Sequence, residues 1–149
     1  MIDHDNARTA TPIDQTFLLS LLGYNCLQAY LKVTPPIKRL LDKHKLKPVE
    51  FTVLALVAEN QQINQKRIGE TINVSPPNLA TLLDRMQDVG LLERQRNPRD
   101  KRSHIVALTA QGQALYEKTR TSVANLEKPA SLSQDEHDQL IHLLQKVFL

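Results

Sequence analysis

The feature that most constrains this chain lies between Asn73 and Thr109, where a short amphipathic helix pattern is followed at once by an arginine-rich hairpin pattern. Ser75 is a favoured N-cap and Pro76 a favoured first helical residue, so a helix is predicted to begin there. Gly90 is placed to end it in the left-handed conformation. At about 100° per residue, apolar and polar side chains fall on opposite faces. The apolar face is Leu79, Leu82, Leu83 and Met86, and the polar face is Asn78, Thr81, Arg85 and Asp88.

The hairpin is predicted from two short strand-like segments, Leu91 to Arg96 and Arg102 to Leu108, with the second alternating His104, Val106 and Leu108 on one face. Asn97, Pro98 and Asp100 supply the turn chemistry between the segments. The cationic side chains Arg94, Arg96, Arg99, Lys101 and Arg102 are opposed there only by Asp100. Such a cluster repels itself unless an anion lies nearby, so it favours a polyanionic partner over a merely solvated turn.

The sequence before Asn73 is also predicted to form helices. A long helix is predicted from about Asp14 to Leu31, and Thr34-Pro35-Pro36 is expected to stop or kink it before a short helix from Ile37 to Lys43. Lys47-Pro48 opens a largely buried helix. Asn64 caps the next one, which ends at Asn73 in a left-handed turn.

Two helices are predicted after the hairpin. Thr109 caps a helix from Ala110 to about Glu127, and Ser133 with Glu136 forms a capping box at the start of the last helix. That last helix is apolar over much of its surface, so a partner is expected. With the first long helix it suggests a two-fold dimer.

The predicted fold is mainly α with a small β-hairpin wing, a winged helix-turn-helix joined to a dimerisation part made of terminal helices. Residues 1–12 are expected to be a disordered tail, residues 13–46 and 110–149 the dimerisation helices, and residues 47–109 the DNA-binding domain. In this fold the second paired helix enters the major groove of double-stranded DNA with its N-terminal residues at base edges.

The candidate recognition residues are Ser75, Pro76, Pro77, Asn78, Thr81 and Arg85. Asn78 can bond an adenine edge through two hydrogen bonds, and Thr81 or the proline rings can contact a thymine methyl group. Backbone amides near Ser75 suit a phosphate. The alternative is that Asn78 is only a solvent-exposed residue of the first turn. The hairpin arginines suit a narrow minor groove.

Two stretches carry a family resemblance: IGETINVSPPNLATLLDRMQDVGLLERQRNPRDKRSHIVALTAQGQAL, from Ile68 to Leu115, and the upstream LGYNCLQAYL with PVEFTVLALVAEN. The chain resembles the MarR family of transcriptional regulators over nearly its whole length after the tail. The resemblance implies a homodimer that reads a pseudo-palindromic operator, usually to repress nearby genes. Asp100, Lys101 and Arg102 match the family's wing motif, which makes Arg102 the minor-groove residue and Asp100 its orienting partner. Gly69 and Asn73 stand where the family often has alanine and glycine.

The resemblance also implies a small phenolic or aromatic carboxylate effector, bound between the dimerisation helices and the DNA-binding part. The candidate lining residues are Tyr24, Gln28, Tyr30, Arg39 and His44. Each has a structural alternative, since tyrosines are often core or interface residues and His44 can be a helix-end cation. Within the family, the segment LGYNCLQAYL resembles the branch that senses hydroxycinnamate-like compounds.

The sequence also bears on other possible functions. Cys26, the single cysteine, could make the chain an oxidant sensor, but a buried small hydrophobic residue is the preferred interpretation. The histidines lack metal-ligand spacing, so neither a metal nor another cofactor is expected. No enzyme motif is present, and a winged-helix adaptor for protein contacts would lack the charged tip. The apolar runs are too short for a membrane span, and a cytoplasmic location is expected.

Overall fold

The computed structural model describes residues 12–98 and 104–149. Backbone contacts divide the chain at Lys32 into two compact units. The first unit comprises residues 12–32 as far as they are described, and the second comprises residues 33–98 and 104–149.

The first unit contains helix α1 (Thr16–Leu19) and the N-terminal half of helix α2 (Leu22–Lys43). The prediction of one unbroken helix from Asp14 is therefore wrong, because the chain leaves the helix at Ser20 and Leu21. The Asn25 side chain lies across this break and donates to the carbonyl oxygens of Leu19 and Leu21 at 2.8 and 2.7 Å. An asparagine amide thus bridges the break, since it donates both to the C-terminal carbonyl group of α1 and to the carbonyl group that precedes α2.

Helix α2 continues through Pro35 and Pro36 to Lys43, so these prolines do not stop it. A proline in a helix leaves the carbonyl group four residues earlier without its usual donor. Here those carbonyl groups belong to Leu31 and Lys32, whose side chains are exposed. Exposed residues of this kind can hydrogen-bond to water in place of the missing donors.

The second unit contains the rest of α2, further helices and a hairpin. Its helices begin where the capping signals in the sequence predict. Asn64 Oδ1 accepts from the Arg67 amide at 2.9 Å, and Ser133 and Glu136 form the capping box. The elements are α3 (Pro48–Glu59), α4 (Gln65–Ile72), α5 (Pro76–Asp88), β1 (Leu92–Arg96), β2 (His104–Leu108), α6 (Ala110–Glu127) and α7 (Gln134–Phe148).

One apolar core holds the elements before α7 together, and α3 lies at its centre against α4, α6 and the hairpin. The fully buried side chains include Leu41, Val53, Leu54, Ile68, Leu79, Leu83 and Met86. Tyr116 joins α6 to α3 at the edge of this core, because its hydroxyl donates to Glu59 Oε1 at 3.0 Å and the Arg120 guanidinium lies 5.5 Å from its ring centre. Burial, together with the Glu59 carboxylate, raises the pKa of the Tyr116 phenol.

Strands β1 and β2 pair antiparallel with Leu92 opposite Leu108 and Arg96 opposite His104. The predicted alternation along the second strand is wrong, since Ile105 and Val106 are both buried and His104 is exposed. The reason is a third segment beside β2: Asn64 forms a bridge with Ile105, and the Val106 amide donates to the Ile63 carbonyl oxygen at 2.8 Å. Both edges and both faces of β2 are therefore partly covered.

The base of the hairpin is fixed where α5 ends and α6 begins. Gly90 has φ of +76°, a conformation that favours glycine. The Thr109 hydroxyl donates to the Gly90 carbonyl oxygen at 2.6 Å and accepts from the Gly112 amide at 3.0 Å. A Cβ atom at Gly112 would lie 2.1 Å from the Leu91 carbonyl oxygen, so only glycine allows this approach.

The C-terminal helix contrasts with this core, since no α7 residue is buried against the described part of the chain. Its exposed apolar side chains are Leu140, Ile141, Leu143, Val147 and Phe148. None of the helices described, α7 included, has the length and apolar character that crossing a membrane requires.

Candidate nucleic-acid interface

The paired helices α4 and α5 meet at a tight turn centred on Asn73. Asn73 has φ of 53° and ψ of 43°, which confirms the left-handed conformation predicted for it. The following residues return to extended backbone, and α5 begins at Pro76 with Ser75 in the N-cap position. The two helices therefore form the helix-turn-helix that the sequence predicts.

Helix α5 presents an exposed polar face. Leu79, Leu83 and Met86 are buried and Leu82 is half-buried, which confirms the predicted packing face. The recognition candidates on the other side are all exposed: Ser75, Pro76, Pro77, Asn78, Thr81 and Arg85. The Thr81 hydroxyl donates to the Pro77 carbonyl oxygen at 3.1 Å.

The first turn of α5 offers fewer amides than we expected for a phosphate site. Pro76 and Pro77 carry no backbone N–H group, and the Leu79 amide donates to the Ser75 carbonyl oxygen. Ser75 lies at the N-cap, yet its side chain makes no capping bond within the described residues. Side chains, more than backbone amides, are therefore what this turn offers to a ligand.

Arg85 forms an ion pair that the sequence analysis missed. Its Nη1 atom lies 2.9 Å from Oε1 of Glu50, whose side chain is only 3% exposed, whereas the Arg85 side chain is 44% exposed. The other Glu50 oxygen accepts from the Lys47 amide at 2.7 Å. Arg85 thus anchors α5 to α3, and this arrangement weakens its assignment as a residue that reads bases.

Arg94 is also engaged within the chain. Its Nη1 atom lies 2.7 Å from Oδ1 of Asp84 and 3.2 Å from Oε1 of Gln87, and both acceptors belong to α5. The base of the hairpin is therefore joined to the recognition helix. Arg94 was predicted to contact DNA as part of the wing; in the single chain its guanidinium contacts α5, and the DNA contact stays a prediction.

The rest of the predicted wing lies toward the hairpin tip. Arg96 is exposed at the end of β1. The candidates Arg99, Asp100, Lys101 and Arg102 lie outside the described residues. Their proposed contacts stay predictions.

Glu50, Asp84 and Gln87 are the residues of this interface that sequence reasoning missed. Glu50 carried one usable signal, because a glutamate at the third helical position supplies the acidic half of a capping box and here accepts from the Lys47 amide. Nothing local indicates that its second oxygen would reach Arg85. Asp84 and Gln87 share the polar side of α5, but only the folded chain shows that Arg94 reaches them.

The candidate effector residues fall in different units. Tyr24, Gln28 and Tyr30 belong to the first unit, where the Tyr24 hydroxyl donates to Gln15 Oε1 at 2.7 Å. Arg39 and His44 belong to the second unit. Two clefts of about 600 and 510 Å³ lie elsewhere in the second unit, between α4 and α5 and between α3 and the hairpin. The effector site stays a prediction.

Cys26 is exposed on α2, so the preferred interpretation of it as a buried small residue is wrong for the single chain. The physical reason is its position in the first unit, where the neighbouring α2 side chains Asn25 and Leu27 are exposed as well. Across residues 12–98 and 104–149, no group of three or more metal-ligating side chains lies together.

Replacing Arg85 by alanine is expected to lower the free energy of unfolding by about 2 kcal/mol. The change leaves the Glu50 carboxylate buried with the Lys47 amide as its one partner. Breaking a fully buried pair costs about 3–5 kcal/mol. The expected cost is smaller here because the Arg85 side chain is half-exposed and the Lys47 amide remains. Urea unfolding monitored by circular dichroism measures the change. Arg67→Ala, on the exposed side of α4, is the matched control and should shift stability by less than about 0.5 kcal/mol. Equal effects of the two substitutions would show that the Arg85 pair contributes nothing.

The chain is similar to known regulators of transcription over most of its length. The family model described as "MarR family" matches residues 46–104. The chain is 32% identical over 106 residues to the uncharacterized HTH-type transcriptional regulator YkoM of Bacillus subtilis, and the match covers 70% of this chain and 69% of that protein. It is 33% identical over 87 residues to the organic hydroperoxide resistance transcriptional regulator of the same organism, a match that spans 58% of this chain and 59% of the relative.

Solved structures agree with the architecture. The transcriptional repressor CouR, bound to a 23-mer DNA duplex, superposes with a TM-score of 0.83 at 31% identity, and the match covers 92% of this chain and 99% of CouR. CouR bound to p-coumaroyl-CoA gives a TM-score of 0.77 at 29% identity over 91% and 97% of the two chains. Combined with the exposed polar face of α5 beside a two-stranded hairpin, these matches show that the chain belongs to the MarR family of winged-helix transcriptional regulators.

Proposed function

We propose that the protein is a cytoplasmic homodimeric repressor that binds a pseudo-palindromic operator and is released from it by a small aromatic or phenolic ligand. The observation that carries this proposal is the first turn of α5. Its polar side chains are exposed while the opposite face of the same helix is buried in the core. A helix held rigidly by one face and free along the other is suited to the major groove.

Asn78 and Thr81 are the residues we propose to read base edges. Both are exposed, and they lie on the side of α5 away from the core. Asn78 has an amide that can both donate to and accept from an adenine edge, which distinguishes adenine from the other bases in the major groove. Ser75, Pro76 and Pro77 precede them and would make the closest approach to the duplex.

We propose that the hairpin enters the adjacent minor groove. Arg96 is exposed at the end of β1, and the tip that follows adds Arg99, Lys101 and Arg102. The family's wing motif supports Arg102 as the minor-groove residue with Asp100 as its orienting partner. Arginine is favoured there because a narrow minor groove concentrates negative potential.

The homodimer is proposed from apolar surface at both ends of the chain. The exposed apolar side chains of α1 and α2 are Phe17, Leu18, Leu19, Leu22, Leu27, Tyr30 and Leu31, and those near the C-terminus are Leu140, Ile141, Leu143, Val147, Phe148 and Leu149. Large exposed apolar surfaces are characteristic of protein interfaces. To read two half-sites one turn of DNA apart, the dimer would hold its two copies of α5 about 34 Å apart.

The effector class is supported by one structural relative. CouR is described as a transcriptional repressor, and one of its structures holds p-coumaroyl-CoA. We propose an aromatic carboxylate or its thioester as the ligand, with Tyr24, Gln28, Tyr30, Arg39 and His44 as candidate lining residues. The arginine would pair with an anionic group, and the tyrosine rings would contact the aromatic ring.

The two alternatives have less support. The adaptor alternative is not favoured, because a structural relative is bound to DNA. The oxidant-sensor alternative depends on Cys26, whose exposure alone does not give a thiol unusual reactivity.

Asn78→Ala is expected to weaken specific DNA binding by about 5- to 150-fold, the value of one bidentate base contact of roughly 1–3 kcal/mol. The probe is a duplex enriched from a random pool by the wild-type protein, and a shuffled duplex of equal composition serves as reference. Fluorescence anisotropy at two salt concentrations measures both affinities, which should fall steeply with salt. Asn125→Ala, at an exposed position on α6, is the control. Failure of the wild-type protein to enrich any duplex would refute the proposed function.

Leu140→Glu is expected to convert the dimer into monomers of 16.9 kDa, since a charge would be buried at the proposed interface. Leu140 is exposed in the single chain, so a true monomer would tolerate the substitution. Sedimentation velocity at micromolar concentration distinguishes the two states. Gln139→Glu adds the same charge at the preceding position and should leave the dimer intact. A wild-type protein that sediments as a monomer would contradict the dimer.

Saturating p-coumaroyl-CoA is expected to raise the melting temperature by about 5 °C, since a ligand well above its dissociation constant adds about 2–3 kcal/mol to the folded state. Coenzyme A alone is the control for the nucleotide part. Arg39→Ala should reduce the shift, whereas Lys38→Ala, the neighbouring exposed cation, should not. If neither the thioester nor a panel of free aromatic acids stabilises the protein, the proposed effector class is wrong.

A further inference from the structure

Among the described residues, one guanidinium group makes a polar side-chain contact between the hairpin and the recognition helix. Arg94 of β1 pairs with Asp84 at 2.7 Å and also donates to Gln87 at 3.2 Å. Asp84 and Gln87 are three residues apart on α5 and therefore lie one above the other on the helix surface. The two N–H groups of Nη1 lie in the guanidinium plane and can serve both acceptors, so this contact constrains the direction of the Arg94 side chain as well as its distance.

Asp84 is an unexpected residue for this position. It lies seven residues after Pro77 and three after Thr81, which puts it on the same side of α5 as the proposed recognition residues. Its side chain is 60% exposed. A free carboxylate there would repel the phosphates of DNA. Asp84 is therefore expected to contribute something to function or to stability that outweighs this repulsion.

A contribution to the stability of the fold does not explain the ion pair between Asp84 and Arg94. The Arg94 side chain is 30% exposed and that of Asp84 is 60% exposed, and ion pairs this open to water contribute little to folding. The hairpin base is already fixed by Thr109 and by the close approach of Gly112 to Leu91. Those contacts, and the pairing of β2 with Ile63 and Asn64, hold the hairpin on the core. Arg94 adds a polar side-chain contact between β1 and the outer face of α5.

We infer that Asp84 is a positioning residue that acts through Arg94 to hold the hairpin at the angle where α5 and the wing engage one half-site together. The inference rests on the proposed function. Asp84 itself is not proposed to contact a base. It determines specificity by orienting the wing, and Arg94 neutralises its charge while doing so.

The substitution Asp84→Asn separates this inference from simple electrostatics, because the two predict changes of opposite sign. Removal of a negative charge from the DNA-facing side should tighten binding to every duplex. Loss of the positioning pair should instead weaken binding to the duplex selected by the wild-type protein by about tenfold, while affinity for the shuffled duplex stays equal or rises.

Asp88→Asn is the matched control, since Asp88 is also exposed and lies one turn further along α5. It removes the same charge and should leave the preference for the selected duplex unchanged. Asp84→Glu keeps the carboxylate and should retain most of the preference. Hydroxyl-radical footprinting adds a readout that stability does not affect: Asp84→Asn should lose minor-groove protection at the wing and keep protection of the major groove by α5.

The inference is overturned if Asp84→Asn binds the selected duplex as tightly as the wild-type protein or more tightly, with the wing footprint intact. It is equally overturned if Asp88→Asn loses the same preference. A wild-type protein that selects no duplex overturns the proposed function, and this inference with it.

Discussion

The buried carboxylate of Glu50 is the constraint on which the orientation of the recognition helix depends. A charge in an apolar core is tolerated only when each of its oxygens has a partner. One oxygen accepts from the Lys47 amide and so fixes the start of α3, and the other pairs with Arg85 on α5. A single side chain therefore connects the central helix of the core to the helix proposed to enter DNA.

The consequence for function is that α5 is held from both sides by neighbouring residues of opposite charge. Arg85 faces α3, and Asp84 faces the hairpin through Arg94. Together with the buried apolar face of α5, these two contacts orient the helix, and Asn78 and Thr81 remain exposed near its start. Rigid presentation of this kind lowers the entropy lost on binding DNA.

Sequence reasoning predicted the local parts of this structure well, because their signals lie within a few residues. The caps at Asn64 and Thr109, the left-handed Asn73 and the packing face of α5 follow from the chemistry of adjacent positions. The hairpin, the helix order and the family followed from the same run of sequence.

The contacts that the sequence did not predict are those made through space. Glu50 and Arg85 are far apart in sequence, and no spacing rule relates them. Val106 is covered because Ile63 lies beside it, which periodicity along β2 cannot reveal. Likewise, α2 continues past Pro35 and Pro36, which the local effect of proline on a helix does not predict.

A double-mutant cycle between Glu50 and Arg85 tests the central claim most directly. Glu50→Gln keeps an oxygen for the Lys47 amide and removes the charge, so the cycle isolates the pair with Arg85. If the pair holds α5, Arg85→Ala will cost about 2 kcal/mol in the wild-type chain and much less in the Glu50→Gln background, a coupling energy above about 1 kcal/mol. Effects that add to within about 0.3 kcal/mol would contradict the claim that this buried pair fixes the recognition helix.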